Sequence, residues 1–160
     1  MRNPAIIQRI KDERGLSEDS IRIFALGWNP LNRSIPRGEW GLSKELKANG
    51  QEKKLWFPKG LVIPIMSGEQ ITKIKIRRDD WREGDKMGKY IVIPGSGNRG
   101  SIIGASSGSV AILVEAELDA MLIAQEAGDL CCCIALGGTK PSRRVHAYVF
   151  VFKGTHSICP

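Results

Sequence analysis

The spacing of apolar residues predicts two short helices at the start of the chain. Apolar positions 6, 7 and 10 lie on one helical face and predict a helix over Ile6–Arg14, which Gly15 can end in the left-handed conformation. Ser17 is a typical N-cap for a second helix, which is expected to close at Gly27. The segment 29–41 contains two prolines and two glycines, so it is predicted to be a loop.

The pattern then changes from a helical period to a period of two. Residues 61–65 form an apolar run, and over 71–78 isoleucines alternate with Lys73, Lys75 and Arg77. This alternation predicts a strand with one buried face and one strongly basic face, joined to the preceding strand by a turn. The basic face is expected to be exposed to solvent or to face a polyanion.

The clearest unit lies in the last third of the chain. The apolar run Val110–Val114 is typical of a strand buried on both faces, and it ends at Glu115. Helical spacing follows from Leu118 to Gly128, before a second apolar strand at Cys131–Leu136. This order predicts parallel strands joined by a right-handed helical crossover. Glu115 is therefore expected at the carboxyl edge of the sheet, where open α/β folds bind ligands.

The segment Gly95–Gly100 has the GxGxxG spacing of a dinucleotide-binding turn. The small residues after it show no helical period, so no helix N-terminus is expected there to hold a pyrophosphate. We interpret the segment as a flexible loop.

Composition narrows the class of protein. Hydrophobic residues make up 42% and charged residues 26% of the 160 positions, as in an ordinary globular chain. No apolar run approaches the roughly 20 residues that span a bilayer, so we expect a cytoplasmic protein without a membrane partner. Three of the four cysteines, Cys131 to Cys133, are adjacent, which favours buried apolar residues over a metal clamp.

The charge is distributed unevenly. Residues 1–90 carry 19 Lys/Arg and 12 Asp/Glu, whereas residues 91–160 carry 5 of each, so the whole excess of +7 lies in the first part. Cationic side chains of a phosphate-binding surface would produce this imbalance, and so would selection for solubility alone.

Glu115 and Asp119 are the candidate carboxylates. A carboxylate that closes an apolar strand can coordinate magnesium or act as a general acid or base. The other interpretation is that Glu115 only interacts favourably with the start of the following helix. Asp119 lies one helical turn further along, so its carboxylate would project near the same helix end.

Several segments carry a family resemblance. Val114–Ala120 resembles the E-G-x-x-D signature that opens a Toprim domain, the catalytic fold of bacterial-type primases, type IA and II topoisomerases and some nucleases. Other segments resemble bacterial-type primases and their phage and plasmid primase-helicase relatives: Arg14–Ile21, Leu26–Pro30, Gly60–Pro64, Lys89–Tyr90 and Ile134–Gly138.

The resemblance implies an α/β fold. A mixed α+β primase-type basic lobe would occupy residues 1–108, and a partial Toprim strand-helix-strand unit with parallel strands would occupy residues 109–160.

The resemblance also implies RNA primer synthesis on single-stranded DNA by magnesium-dependent nucleotidyl transfer. Mg²⁺ would be held by Glu115 and Asp119, with Glu115 as the catalytic residue, together with a later D-x-D pair. Nucleotides would be the substrates, and a replicative helicase is a possible partner. The candidate nucleic-acid-binding residues are Lys73, Lys75, Arg77, Arg78, Lys89 and Arg99.

The sequence departs from the family pattern in two places. Ala116 replaces the usual glycine, and no acidic residue follows Asp129 where the D-x-D pair is expected. A last strand at 147–152 follows too closely for a parallel crossover, so it is expected to pair antiparallel or at an edge. Magnesium binding is therefore expected to be weak or absent.

We accordingly expect an inactive chain, either a truncated primase or a decayed phage or mobile-element copy. The alternative is a non-catalytic nucleic-acid-binding module. A nuclease or topoisomerase is a weaker third interpretation, because the upstream segments resemble primases.

Overall fold

The computed structural model describes residues 3–97, 100–104 and 110–137, and the backbone of 148–151. Contacts divide the chain into a first unit, Ala25–Asn98, and a second unit that combines Arg2–Phe24 with Arg99–Pro160. This grouping describes packing, and the sequence-based domain boundary at residue 108 stays a prediction.

The first helix confirms the sequence pattern. Helix α1 spans Pro4–Arg14, and the side chain of Asn3 caps it by accepting hydrogen bonds from two backbone N–H groups. Gly15 ends the helix in the left-handed conformation with φ of 70°. The carboxamide of Gln125 fixes this corner, because its oxygen accepts from Ser17 N at 2.7 Å and its nitrogen donates to Gly15 O at 3.1 Å.

The second helix is shorter than predicted. Helix α2 spans Glu18–Ile23 and is capped by the Ser17 hydroxyl, which accepts from the N–H of Ser20. The predicted closure at Gly27 is wrong. Ala25 already has a left-handed φ of 51°, which ends the helical path, and Gly27 begins a strand.

The first unit contains a four-stranded antiparallel sheet in the order β1-β4-β5-β6. Its strands are β1 Gly27–Asn29, β4 Gly60–Ser67, β5 Gln70–Arg78 and β6 Tyr90–Val92. The predicted pair of strands around the turn at residues 68–69 is confirmed by the β4–β5 register.

The first unit also contains a two-stranded sheet. Strand β2, Arg33–Pro36, pairs antiparallel with β3, Lys54–Phe57, and a 3-10 helix follows β2 at Arg37–Trp40. The prediction of a loop over residues 29–41 is therefore wrong. The strand forms by pairing with β3, which lies further along the chain. A local sequence pattern contains no information about such a distant partner.

The second unit holds a mixed sheet of four strands: β7 Ser101–Ile103, β8 Val110–Val114, β9 Cys132–Ala135 and β10 Tyr148–Val151. Their order in the sheet is β10-β8-β9-β7. Strand β8, Val110–Val114, pairs parallel with β9, Cys132–Ala135, and helix α3, Glu117–Ala127, connects them. This confirms the predicted strand-helix-strand unit. Strand β10, Tyr148–Val151, pairs antiparallel with β8 at the edge, as expected for the last strand.

The start of β7 and the burial of the three adjacent cysteines both agree with the sequence pattern. Strand β7, Ser101–Ile103, begins directly after Gly100, so no helix N-terminus follows the glycine-rich segment there. Cys131, Cys132 and Cys133 are all buried, which confirms their interpretation as apolar packing residues. Within the described residues, every helix is too short or too polar to cross a bilayer.

Candidate functional site

The carboxyl end of strand β8 carries the predicted catalytic carboxylate. The backbone carbonyls of Val114 and Glu115 accept hydrogen bonds from Leu136 N at 2.9 Å and Gly137 N at 3.0 Å, so the parallel pairing continues up to this edge. The side chain of Glu115 is exposed. The predicted placement of Glu115 is therefore confirmed.

The first turn of α3 positions two further acidic residues differently. Asp119 is exposed, whereas Glu117 is fully buried. Sequence reasoning did not single out Glu117. The acidic residues at 115, 117 and 119 alternate, but the chain changes from strand to helix between them, so the alternation does not predict which of them is buried.

The fit of these carboxylates to magnesium depends on their number. Carboxylate oxygens are the ligands that Mg²⁺ prefers, and proteins commonly hold this ion with one or two carboxylates plus substrate phosphates. Glu115 and Asp119 match that limited donor set. No cluster of three or more potential ligands occurs among the residues that the structure describes. An ion held by these two carboxylates would need phosphate oxygens to complete its coordination.

The predicted exposed basic face of β5 is wrong for two of its three members. Lys73 retains only 7% and Lys75 only 4% of its accessible surface, and Arg77 is half-buried. The ammonium of Lys75 lies 5.0 Å from the centre of the Tyr90 ring, a cation–π geometry. The alternation did separate two faces of the strand, but other parts of the protein pack on both.

The other candidate cations are also held by neighbours. Arg78 pairs with Asp80 at 3.0 Å and with Asp85 at 3.2 Å, and its guanidinium lies 5.4 Å from the centre of the Trp56 ring. Lys89 is half-buried, and its ammonium lies 5.4 Å from the centre of the Trp81 ring. Arg99 lies outside the described residues. The charge of Arg78 is thus already compensated by two carboxylates.

The first unit concentrates both positive charge and aromatic rings. Residues 25–98 contain 14 Lys/Arg and 8 Asp/Glu, giving +6 of the total +7, and all four tryptophans lie there. Cationic grooves with aromatic side chains are typical of proteins that bind single-stranded nucleic acid. The unit that carries most of the positive charge therefore also carries aromatic side chains that could stack on bases.

An ion-pair cluster holds the 3-10 helix that carries Trp40. The Arg37 guanidinium lies 2.6 Å from the Glu45 carboxylate, whose second oxygen lies 3.1 Å from the Lys53 ammonium. The hydrogen bond from Lys53 and the charge of Arg37 together lower the pKa of Glu45. Arg37 Nε also donates to Ser43 O at 2.9 Å, so the segment after Trp40 is tied back to the helix.

Comparison of the sequence finds no relative, since no family model and no curated protein match the chain. Comparison of the structure with solved structures finds similar folds. The RNA polymerase domain of Mycobacterium tuberculosis primase DnaG superposes with a TM-score of 0.54 at 18% identity, covering 97% of this chain and 53% of that one. A DnaG primase catalytic domain bound to single-stranded DNA gives 0.52 at 16% identity, covering 82% and 49%.

The chain has the fold of part of a primase catalytic domain. A third structure, the DnaG catalytic core, agrees with a TM-score of 0.54 at 18% identity, covering 86% of this chain and 50% of that one. The chain thus spans about half the length of these primase structures. The α/β primase-type architecture inferred from the sequence is confirmed at the level of fold.

Proposed function

We propose that the chain binds single-stranded DNA as a primase-like protein and that its carboxylate edge belongs to the chemistry of RNA primer synthesis. The observation that carries this proposal is the exposed Glu115 at the carboxyl end of β8, where that strand pairs parallel with β9 in a primase fold. The +6 charge of the first unit supports nucleic acid as the partner.

The chemistry would be a phosphoryl transfer, in which positioning and charge neutralisation supply most of the catalysis. Glu115 and Asp119 would hold Mg²⁺, which when bound neutralises charge on the nucleotide phosphates. Lys89, which is only half-buried, would interact with phosphates of the template strand. Nucleotides are the proposed substrates, and a replicative helicase is the partner class that the primase resemblance implies.

A second function, a non-catalytic module that binds single-stranded nucleic acid, is favoured by the last strand. Strand β10 runs antiparallel to β8, and the sequence contains no acidic residue between Asp129 and Pro160. This part of the sequence thus adds no second pair of carboxylates to Glu115 and Asp119 for holding a metal ion. We propose that primer synthesis by this chain alone is weak or absent for that reason.

Glu115→Ala separates the two functions, with Asp129→Ala as its matched control. Asp129 is exposed just beyond the opposite end of α3, so the control removes the same charge away from the strand edge. Primer synthesis would be measured on a single-stranded template with magnesium and nucleotides, and Mg²⁺ binding by calorimetry.

Product that disappears only in Glu115→Ala supports catalysis. Template binding without product or measurable Mg²⁺ affinity supports the non-catalytic module. Absence of any binding to single-stranded DNA contradicts both functions.

A further inference from the structure

The first unit contains an open cavity of about 240 Å³ beside strand β5. Its lining includes the Trp40 ring, Lys73, Thr72 and the turn at Gly95–Ser96, together with two isoleucines of β5. This volume lies below the roughly 300–1,000 Å³ of pockets for drug-sized ligands. A single planar ring system is the size of occupant that it suits.

Hydrogen bonds hold the Gly95–Ser96 turn of the lining against strand β5. After β6 the chain returns along β5, where Gly97 N donates to Thr72 O at 2.8 Å and Ile74 N donates to Ser96 Oγ at 2.9 Å. Gly95 has φ of 93°, and a Cβ placed there would lie 3.1 Å from a methyl group of Leu42. The 3-10 helix segment and the turn are therefore packed closely, and the cavity between them is preformed.

Trp40 is the aromatic residue of the cavity lining. The residue keeps 37% of its accessible surface, and its ring meets Phe57 in an edge arrangement with centroids 4.9 Å apart. The Arg37–Glu45–Lys53 ion pairs hold the helix that presents it. An aromatic ring fixed in this way offers stacking area at little cost in side-chain entropy.

Lys73 gives the same cavity a preference for an anionic or acceptor-rich ligand. It lines the cavity although 93% of its surface is buried. A lysine shielded from water in this way would interact more strongly with phosphate and carbonyl oxygens, because less water screens its charge. The surrounding charge of +6 acts in the same direction.

The two hydroxyls that line the cavity offer a base little hydrogen-bond donation. The Thr72 hydroxyl donates to Ile65 O at 3.1 Å, and the Ser96 hydroxyl donates to Ile74 O at 3.4 Å. A hydroxyl has one hydrogen and two acceptor lone pairs, so neither side chain has a further hydrogen to donate to a base edge, although each can still accept from one. Stacking and charge would dominate recognition, and both tolerate any base.

We propose that this cavity binds one unpaired base of a single nucleic-acid strand, stacked on Trp40, with phosphate oxygens of the strand near Lys73. The inference rests on the proposed binding of single-stranded DNA and names a site for it. None of the candidate residues chosen from the sequence, apart from Lys73, lies in this site.

Two probes of equal length test the proposal: an oligothymidylate and an abasic oligonucleotide that has the same phosphates without bases. Their affinities would be measured by fluorescence anisotropy for the wild type, Trp40→Ala, Trp40→Leu and a control, Leu46→Ala. Leu46 is 65% exposed and does not line the cavity. Trp40→Leu keeps an apolar side chain against Phe57 but removes the aromatic face, so it serves if the alanine variant unfolds.

Loss of one stacked base corresponds to a decrease in affinity of roughly 5- to 150-fold. We expect that loss for oligothymidylate in both Trp40 variants, with little change for the abasic strand and none for Leu46→Ala. Equal losses on both probes, or no loss on oligothymidylate, overturn the stacking site while leaving DNA binding intact. A wild-type protein that binds neither probe overturns the proposed function together with the site.

Discussion

Replacing Gly60 with alanine is predicted to destabilise the first unit severely. Gly60 begins β4 with φ of 152°, and a Cβ added there would lie 2.0 Å from the carbonyl oxygen of Arg77 and 2.9 Å from its carbonyl carbon. The obstructing atoms belong to the backbone of a paired strand, so no side-chain rotation relieves the contact. Either β5 moves away from β4 or Gly60 changes its backbone conformation.

Two separate costs add at this position. A non-glycine residue in a sparsely populated backbone region costs about 1–3 kcal/mol, and forcing extra atoms into a packed site costs about 1–3 kcal/mol more. The expected loss of about 2–6 kcal/mol is a large part of the roughly 5–15 kcal/mol that stabilises a typical domain.

Two other glycines separate these costs. Gly68 has φ of 58° with no neighbouring atom within 4 Å of an added Cβ, so Gly68→Ala should cost only the strain of about 1–2 kcal/mol. Gly38 has neither a left-handed φ nor a neighbour within 4 Å, so Gly38→Ala should be neutral or stabilising by up to about 1 kcal/mol.

Urea unfolding measured by tryptophan fluorescence reports on the relevant part of the chain, because all four tryptophans lie in the first unit. The free energy of unfolding should be highest for Gly38→Ala, lower for Gly68→Ala and lowest for Gly60→Ala. A Gly60→Ala variant as stable as Gly68→Ala would refute the close approach of β4 to the Arg77 carbonyl. It would also remove our physical reason for the glycine in the Gly60–Pro64 segment.

Three further predictions concern binding, capping and pH. Affinity for single-stranded DNA should fall as the salt concentration rises, and Lys89→Met should reduce the slope of log affinity against log salt concentration by about 0.7. Arg78→Met should leave that slope unchanged, because two aspartates already pair with Arg78. Affinity that does not depend on salt would contradict the electrostatic hypothesis. Ser17→Ala should lower the free energy of unfolding by about 1 kcal/mol through loss of the α2 cap, and Ser17→Thr should recover most of it. Because Lys53 and Arg37 lower the pKa of Glu45, its contribution to stability is present above the usual glutamate pKa of about 4.3 and is lost as the pH falls through the lower folded value. In acid titrations monitored by urea midpoints, Glu45→Gln should therefore reduce the drop in stability below that pH, and an unchanged drop would contradict the ion-pair assignment.

The strand-helix-strand unit was predictable because each of its elements has a continuous local pattern. The apolar run of β8 and the helical spacing of α3 need no distant partner to be recognised, and the order of elements dictates the parallel pairing. The position of Glu115 followed from that order alone. The burial of Glu117 did not, because the change from strand to helix resets which side chains face the core.

The first unit was less predictable because its features depend on long-range packing. The pattern of β5 distinguished two faces, but the burial of Lys73 and Lys75 depends on what covers each face. Strand β2 depends on pairing with β3, and the cavity forms only when Trp40 meets the turn after β6. No local period relates such residues, so their association became visible only in three dimensions.

The second unit combines chain segments that come before and after the first unit in the sequence, and this affects the order of folding. The hydrogen bond from Ser17 N to Gln125 joins residues 108 positions apart, and α1 precedes the whole of the first unit in the chain. During synthesis the first unit can complete its antiparallel sheet from neighbouring segments, while α1 and α2 wait for β8, α3 and β9 to emerge from the ribosome. Contacts of such high sequence separation are slow to close, so formation of the carboxylate edge should be the late event in the maturation of this protein.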